Sequence, residues 1–232
     1  MLRIMQIIGG SGLRLRAANA PPSLEKKEGS TFLDARANIL YWFRGPRHWD
    51  PMIDLSAFRT IGHFRDPRDL ACNQYWWALQ HPNTIDTPEV AEAKRQKTEA
   101  MGIDKYALGR NNRDSYGMLM GLSHGAMGDV MTWTSYTQLC CAFDYMVDNL
   151  CHAFNRAPSQ VAEELRLERP ENLGGNADWV KVGGTWKGSD VTPGRFRNDL
   201  TPETVAEITA KHAEELAFCK MRDASFLRHH YL

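Results

Sequence analysis

Two strings in this chain combine residue types that can hold an anion. The first is Lys26-Lys27-Glu28-Gly29-Ser30-Thr31-Phe32-Leu33. A glycine and two hydroxyl residues at a helix start offer an anion backbone N–H groups, hydroxyl donors and the positive end of the helix dipole. Lys27, just before the turn, reaches the same anion. The order is not the G-x-x-x-x-G-K-[ST] of nucleotide triphosphatases, and taken alone a capped helix behind a solvated lysine pair accounts for the segment better. The second string is Phe64-Arg65-Asp66-Pro67-Arg68-Asp69, continuing through Asn73 to Tyr75, Trp76 and Trp77. A strand would deliver Arg65 to its C-terminal edge, Pro67 would open a helix, and Asn73 would lie two turns along it. Open α/β sheets bind ligands at such strand ends. A surface salt-bridge cluster beside an aromatic core patch is the plainer alternative. The specificity of R-D-P-R-D at a strand–helix junction favours a ligand site.

These strings need elements to position them. Arg3–Ile8 reads as a short strand followed by Gly9-Gly10-Ser11-Gly12, and Pro21-Pro22 mark a loop. Ser30–Leu40 has helical spacing at Phe32, Leu33, Ala37 and Leu40, while Ile39–Phe43 can instead begin a strand. Phe58–Phe64 is a strand candidate, and a helix runs from Pro67 to about Leu79, proline being favoured in a first turn where its missing N–H costs nothing. Thr87-Pro88-Glu89 caps a polar helix ending near Gly102, and Asn111–Leu122 is a further helix. Val, Met, Trp and Thr make Asp129–Tyr136 a strand. Leu139, Phe143, Met146, Leu150 and Ala153 repeat at helical spacing, and residues 170–199 are glycine-rich and loop-like. Thr201-Pro202-Glu203 caps a last helix with Val205, Ile208, His212 and Leu216 on one face. Strands alternating with helices imply an α/β layer fold with a mostly parallel sheet. No internal repeat or boundary divides the chain, so one domain over 1–232 is expected.

Composition narrows the function classes. At 43% hydrophobic over 232 residues the chain can bury a core. Lys+Arg and Asp+Glu balance at 28 each, which argues against a general nucleic-acid binder, since that needs a basic field over one face. Residues 1–70 hold 11 Lys/Arg against 7 Asp/Glu, a local excess that suits a small anionic ligand. No apolar run approaches the roughly 20 residues of a membrane span. The opening stretch ends in Ala-Asn-Ala, like a signal-cleavage site, but its apolar run is too short and Arg14 and Arg16 sit where a signal is uncharged. Five cysteines (Cys72, Cys140, Cys141, Cys151 and Cys219), odd in number and without a CxxC pair, read as reduced thiols of a cytoplasmic protein. His229-His230 has no third ligand nearby, so no metal site is expected.

In the order of its motifs the chain resembles the sulfotransferases that use 3′-phosphoadenosine-5′-phosphosulfate. Their P-K-[ST]-G-[ST]-T-[WF] loop is similar to residues 26–32, with Lys26 for the proline and Glu28 for the small hydroxyl residue. Their R-[ND]-P-[RK]-D string matches Arg65 to Asp69, and Asn73 stands where a serine is expected. Their strand followed by Y-E-D-L looks like Tyr136-Thr137-Gln138-Leu139. Their late R-K-G-x-x-G-[DR]-W-[KR]-N loop looks like Trp186-Lys187-Gly188, then Gly194-Arg195-Phe196-Arg197-Asn198. Leu200-Thr201-Pro202-Glu203, which follows, also fits, and the matches run in order from residue 26 to 203.

The resemblance implies a P-loop-like three-layer sandwich with a mostly parallel central sheet. It implies transfer of a sulfuryl group to a hydroxyl of a small-molecule acceptor, without a metal, leaving adenosine 3′,5′-bisphosphate. Lys27 would stabilise the leaving phosphate oxygen, and Gly29, Ser30, Thr31 and Phe32 would form the 5′ cradle. Arg65, Asn73, Lys187 and the backbone at Gly188 would hold the 3′-phosphate, with Arg195 or Arg197 standing in for the arginine that Trp186 replaces. Tyr136 would approach the adenine. His48 occupies the place of the family's K-T-H histidine, 17 residues before Arg65, and would be the base that a hydroxyl acceptor needs near neutral pH. His63 is its rival, and His124 would line the acceptor site. No nucleic-acid partner is expected, and a homodimer is left open. No apolar strand directly precedes Gly29, Glu28 brings negative charge beside the anion, and Gly9–Gly12 is a rival cradle. Two further readings stay open: a P-loop kinase-like phosphotransferase, and a degenerate nucleotide-binding member without turnover.

Overall fold

The computed structural model describes residues 1–10, 15–17, 39–41, 60–80, 86–110, 113–124, 131–170, 172 and 192–232. In chain order these form helix α1 (Leu2–Gly9), strands β1 (Leu15–Ala17), β2 (Ile39–Tyr41) and β3 (Ile61–Phe64), and helices α2 (Pro67–Gln80), α3 (Pro88–Met101), α4 (Ile103–Leu108) and α5 (Arg113–His124). Strand β4 (Thr132–Ser135) leads into α6 (Tyr136–Cys141), α7 (Phe143–Ala153) and α8 (Ala162–Leu165). The last elements are α9 (Phe196–Asp199), α10 (Pro202–Lys211), α11 (Ala213–Arg222) and a 3₁₀ tail, Ser225–Tyr231. Helix dominates, and β1 and β2 pair in parallel with Leu15 opposite Ile39. No helix among the described residues is long and apolar enough to cross a membrane. The chain divides into two compact units: Met1–Gly62 with Arg113–Thr134 and Phe143–Arg169, and His63–Asn112 with Ser135–Ala142 and Pro170–Leu232.

In the first unit, the strand expected at Arg3–Ile8 is a helix instead. Ile4 and Met5 are sequence neighbours and both buried, with Ile8 buried one turn later and Arg3 and Gln6 exposed. A strand would send Ile4 and Met5 to opposite faces, whereas the helical period gathers all three on one. That face packs on α7 and α8, where Met146, Leu150, Cys151 and Leu165 are buried. Arg3 on the outer face pairs with Glu168 at 2.7 Å. Gly10, at φ 75°, closes the helix by donating its N–H to the Gln6 and Ile7 carbonyls, a conformation glycine adopts without steric cost. Gly9-Gly10 therefore end a helix rather than follow a strand, which removes the premise for a rival phosphate cradle there. Ser11 and Gly12 lie outside the described residues.

Strands β3 and β4 are shorter than Phe58–Phe64 and Asp129–Tyr136. The Thr132 N–H donates to the Thr60 carbonyl at 3.0 Å and the Thr134 hydroxyl to the Gly62 carbonyl at 3.2 Å. The two strands thus advance in the same direction. Tyr136 belongs to the following helix because Ser135 caps it, its Oγ accepting the Gln138 N–H at 2.9 Å.

In the second unit, α2 presents Ala71 and Cys72 to a core that includes Ala107, Phe196, Leu200 and Ile208. Thr87 caps α3 and Thr201 caps α10, each with proline in the first turn. Asp104 holds the second of these starts by accepting the Thr201 N–H at 2.9 Å and its hydroxyl at 3.0 Å. The single last helix expected from Thr201 is two helices, because His212 departs to φ −113°, ψ 29°. The i to i−4 bonds on either side persist, His212 to Ile208 and Leu216 to His212, so the apolar face continues across the break. The part of the expected 170–199 loop that is described ends in α9. Asp223, closing α11, accepts from Ser135 Oγ (2.7 Å), Gln138 Nε2 (2.7 Å), Tyr231 OH (2.6 Å) and the Ala224 N–H (2.8 Å). Burial and that carboxylate push the Tyr231 hydroxyl well above its usual pKa, so it stays a donor.

Gly62 gives the fold a local test. A Cβ at this position would come within 2.4 Å of the Trp133 ring. Gly62→Ala should destabilise the protein by about 1–3 kcal/mol in chemical denaturation, the usual cost of forcing an extra carbon into a packed site.

Candidate anion site at a strand end

The R-D-P-R-D string is first of all a helix start. Asp66 precedes Pro67, and its Oδ1 accepts the Arg68 N–H at 2.8 Å, the capping bond that satisfies an otherwise orphaned first-turn donor. Proline follows where no N–H is required. Arg68 then folds back on the cap, its Nε and Nη2 reaching the two Asp66 oxygens at 3.0 and 2.7 Å in a two-pronged pair. Both side chains are enclosed, and Arg68 also reaches Thr209 Oγ1 at 3.3 Å. This accounts for three of the five residues without a ligand.

Asp69 and Arg65 do something further. Asp69 is 1% exposed, and its oxygens accept the Gly194 N–H at 2.7 Å and the Phe196 N–H at 3.2 Å. The strand-end string and the late glycine–arginine string therefore meet. Gly194 sits at φ 91°, where a side chain is strained, so the close approach of this backbone to the carboxylate suits glycine. Arg65, at the end of β3, lays its guanidinium over the Tyr136 ring at 3.9 Å. Tyr136 is thus covered by Arg65 on one face, and its hydroxyl hydrogen-bonds the Cys140 thiol. Asn73 is half-buried on α2, four residues after Asp69 and so on the same helix face.

The remaining expected residues have different fates. Arg195 is fully enclosed, its Nε and Nη2 on Asp199 Oδ2 at 2.8 and 2.7 Å, so its guanidinium is committed within the fold. Asp199 also accepts Trp76 Nε1 at 3.1 Å. Arg197 is turned outward and donates to the Leu232 carbonyl at 2.7 Å. Burial, reinforced by Arg65, pushes the His63 imidazole down to about 3, too low for a base working near neutrality. His124 ends α5 rather than occupying a loop. Lys27, Gly29, Ser30, Thr31, Phe32, His48, Trp186, Lys187 and Gly188 lie outside the described residues.

Electrostatics separate the buried groups. Burial and the neighbouring Asp66 push Asp69 up to about 6, against the pull of the two amides and Arg65. Burial lifts the Cys72 thiol to about 12 and the Cys140 thiol to about 11, so both stay protonated and unreactive at neutral pH. Tyr136 is also raised by burial and remains a neutral donor. The sequence pointed to Arg65 and Asn73 but missed Asp69 as an acceptor and Asp223 as a hub, because neither role has a local spacing.

The Asp69 environment sets a pH dependence. Its folded pKa of about 6 exceeds its ordinary 3.8, so the folded state holds this proton more tightly than the unfolded state. The resulting stability is fully present below 3.8 and is lost as pH rises through 6, an effect of about 3 kcal/mol. Denaturation midpoints from pH 3.5 to 7.5 should show this component in the wild type, and Asp69→Asn should remove it. Compared with known proteins, the chain matches no family model, no curated protein and no solved structure.

Proposed function

We propose that the chain is a cytoplasmic sulfotransferase, a single α/β domain built as a three-layer sandwich around a mostly parallel sheet. It would move the sulfuryl group of 3′-phosphoadenosine-5′-phosphosulfate to a hydroxyl of a small-molecule acceptor. One observation carries this reading. Two strings singled out for the same 3′-phosphate, 125 residues apart, are held together through Asp69 and the amides of Gly194 and Phe196. Arg65 stands at the adjoining strand end with the face of its guanidinium on Tyr136; oxyanions engage the edge of a guanidinium, so stacking and anion binding are compatible. Asn73 supplies an amide donor from the next helix.

Sulfuryl transfer is an in-line displacement with charge spread over peripheral oxygens, so positioned donors carry the catalysis. In this reading His48 takes the acceptor hydroxyl proton as its oxygen attacks sulfur. The bond from sulfur to the bridging phosphate oxygen breaks, and Lys27 stabilises the charge left on that oxygen. Ser30, Thr31 and the Gly29 backbone hold the 5′-phosphate, and Lys187 with Gly188 completes the 3′-phosphate donors. The enclosure of Arg195 favours one second reading, a nucleotide-binding protein without turnover, since an expected cation is occupied within the fold. Nucleotide binding with no transfer to any hydroxyl acceptor would mark that case, and a strict Mg²⁺ requirement would mark a kinase-like phosphotransferase.

A partly desolvated 3′-phosphate dianion draws several charge-assisted hydrogen bonds, each contributing about 1.5–3 kcal/mol. Calorimetric titration should find adenosine 3′,5′-bisphosphate bound at least tenfold tighter than adenosine 5′-monophosphate, about the effect of one such bond. Arg65→Ala should erase most of that difference while weakening the monophosphate little. Equal affinities in the wild type would remove the main support for a sulfotransferase. His48→Ala should abolish transfer and leave bisphosphate affinity within about twofold, because the imidazole acts on the acceptor; full turnover in that variant would reassign the base.

A further inference from the structure

The sulfotransferase reading uses Asp69 only as evidence that two strings meet and assigns the nucleotide's donors elsewhere, since a carboxylate does not touch an anionic ligand. The surroundings of Asp69 argue for a task of its own. The side chain is 1% exposed, sits in the first turn of α2 four residues after Arg65, and spans to the late segment through two amides rather than one. Those amides belong to Gly194 and Phe196, on either side of Arg195, whose side chain is fixed by Asp199. Phe196 is itself locked, its ring under the Arg68 guanidinium at 4.0 Å and its side chain in the α2 core. The segment around Gly194–Phe196 is therefore fastened to α2 by one buried acceptor on its backbone and one ring in the core. The backbone bonds set the register.

We infer that Asp69 is a positioning residue for the nucleotide site: its carboxylate fixes the Gly194–Phe196 backbone against the helix that carries Asn73 and the strand end that carries Arg65. This rests on the sulfotransferase reading. A carboxylate can accept both amides, whereas an asparagine of the same shape offers one acceptor and turns an N–H₂ toward the other amide. The isosteric change thus cuts one of the two bonds and leaves the volume unchanged. A donor array displaced by even an ångström loses its match to a phosphate, because such sites depend on sub-ångström support. Loss of register should weaken recognition of the 3′-phosphate alone, whereas general destabilisation would not discriminate between two nucleotides of nearly equal size.

The test uses the full chain and Asp69→Asn, read by amide exchange and by titration with adenosine 3′,5′-bisphosphate and adenosine 5′-monophosphate at pH 7.5. We expect exchange at the Gly194 and Phe196 amides to quicken at least tenfold. The preference for the bisphosphate should shrink at least tenfold, with monophosphate affinity unchanged within twofold. A variant that discriminates as well as the wild type overturns the positioning role and leaves the sulfotransferase reading intact. A wild type that does not discriminate overturns both. Should Asp69→Asn not fold, the wild type decides: added bisphosphate must slow exchange at Gly194 and Phe196 more than the monophosphate does, and equal effects would refute the assignment.

Discussion

Two carboxylates three residues apart, Asp66 and Asp69, are both closed off from water, at 4% and 1% exposure, and each must find donors inside the chain. An ionised oxygen buried without partners costs several kcal/mol, so this requirement constrains everything nearby. Asp66 solves it locally with the first-turn N–H and guanidinium of Arg68, which fixes where α2 begins. Asp69 cannot, because Arg68 is already engaged, and it takes two amides from the late segment. Once those amides are held, Phe196 falls into the core beside Ala71 and Cys72. The same Phe196 ring lies near two guanidinium groups, Arg68 at 4.0 Å and Arg197 at 4.5 Å. Polar satisfaction and apolar packing are thus settled by one docking event.

The sequence was readable where a local rule decides the outcome. Proline after Thr87 and Thr201, and proline after Asp66, announced three helix starts that the structure contains, since capping is a matter of four adjacent residues. It misled where two periods compete. Arg3–Ile8 is apolar enough for a strand, and only the simultaneous burial of Ile4 and Met5 separates the helical answer, which depends on α7 and α8. The break at His212 leaves Ile208 and Leu216 buried on both sides, so apolar spacing alone carries no mark of it.

The candidate site divides in the same way. Arg65 and Asn73 could be singled out because a strand end and a helix face follow from short-range pattern. Arg195 is committed to Asp199 as an i, i+4 pair, and a pattern that names an arginine says nothing about whether it faces a ligand or its own helix. Tyr136 shows the limit from the other side. The strand expected over Asp129–Tyr136 held it as a last strand residue, whereas it opens α6, and the cation covering its ring comes from a residue 71 positions earlier.

The distance in sequence between Asp69 and its partners has a consequence for synthesis of the chain. The acceptor precedes its two donors by 125 and 127 residues. At ribosomal rates of about 5–20 residues per second, Asp69 is made roughly 6–25 s before Gly194 exists. During that interval the α2 start can form with its Asp66–Arg68 cap, but Asp69 has no means of leaving water cheaply. The part of the helix face at Ala71 and Cys72 that Phe196, Leu200 and Ile208 cover must remain open or transiently shielded until that late segment arrives, although Ala107 of the same core is made much earlier. Early termination before Gly194 would leave that part of the face exposed for good, a surface that folding chaperones and proteases recognise.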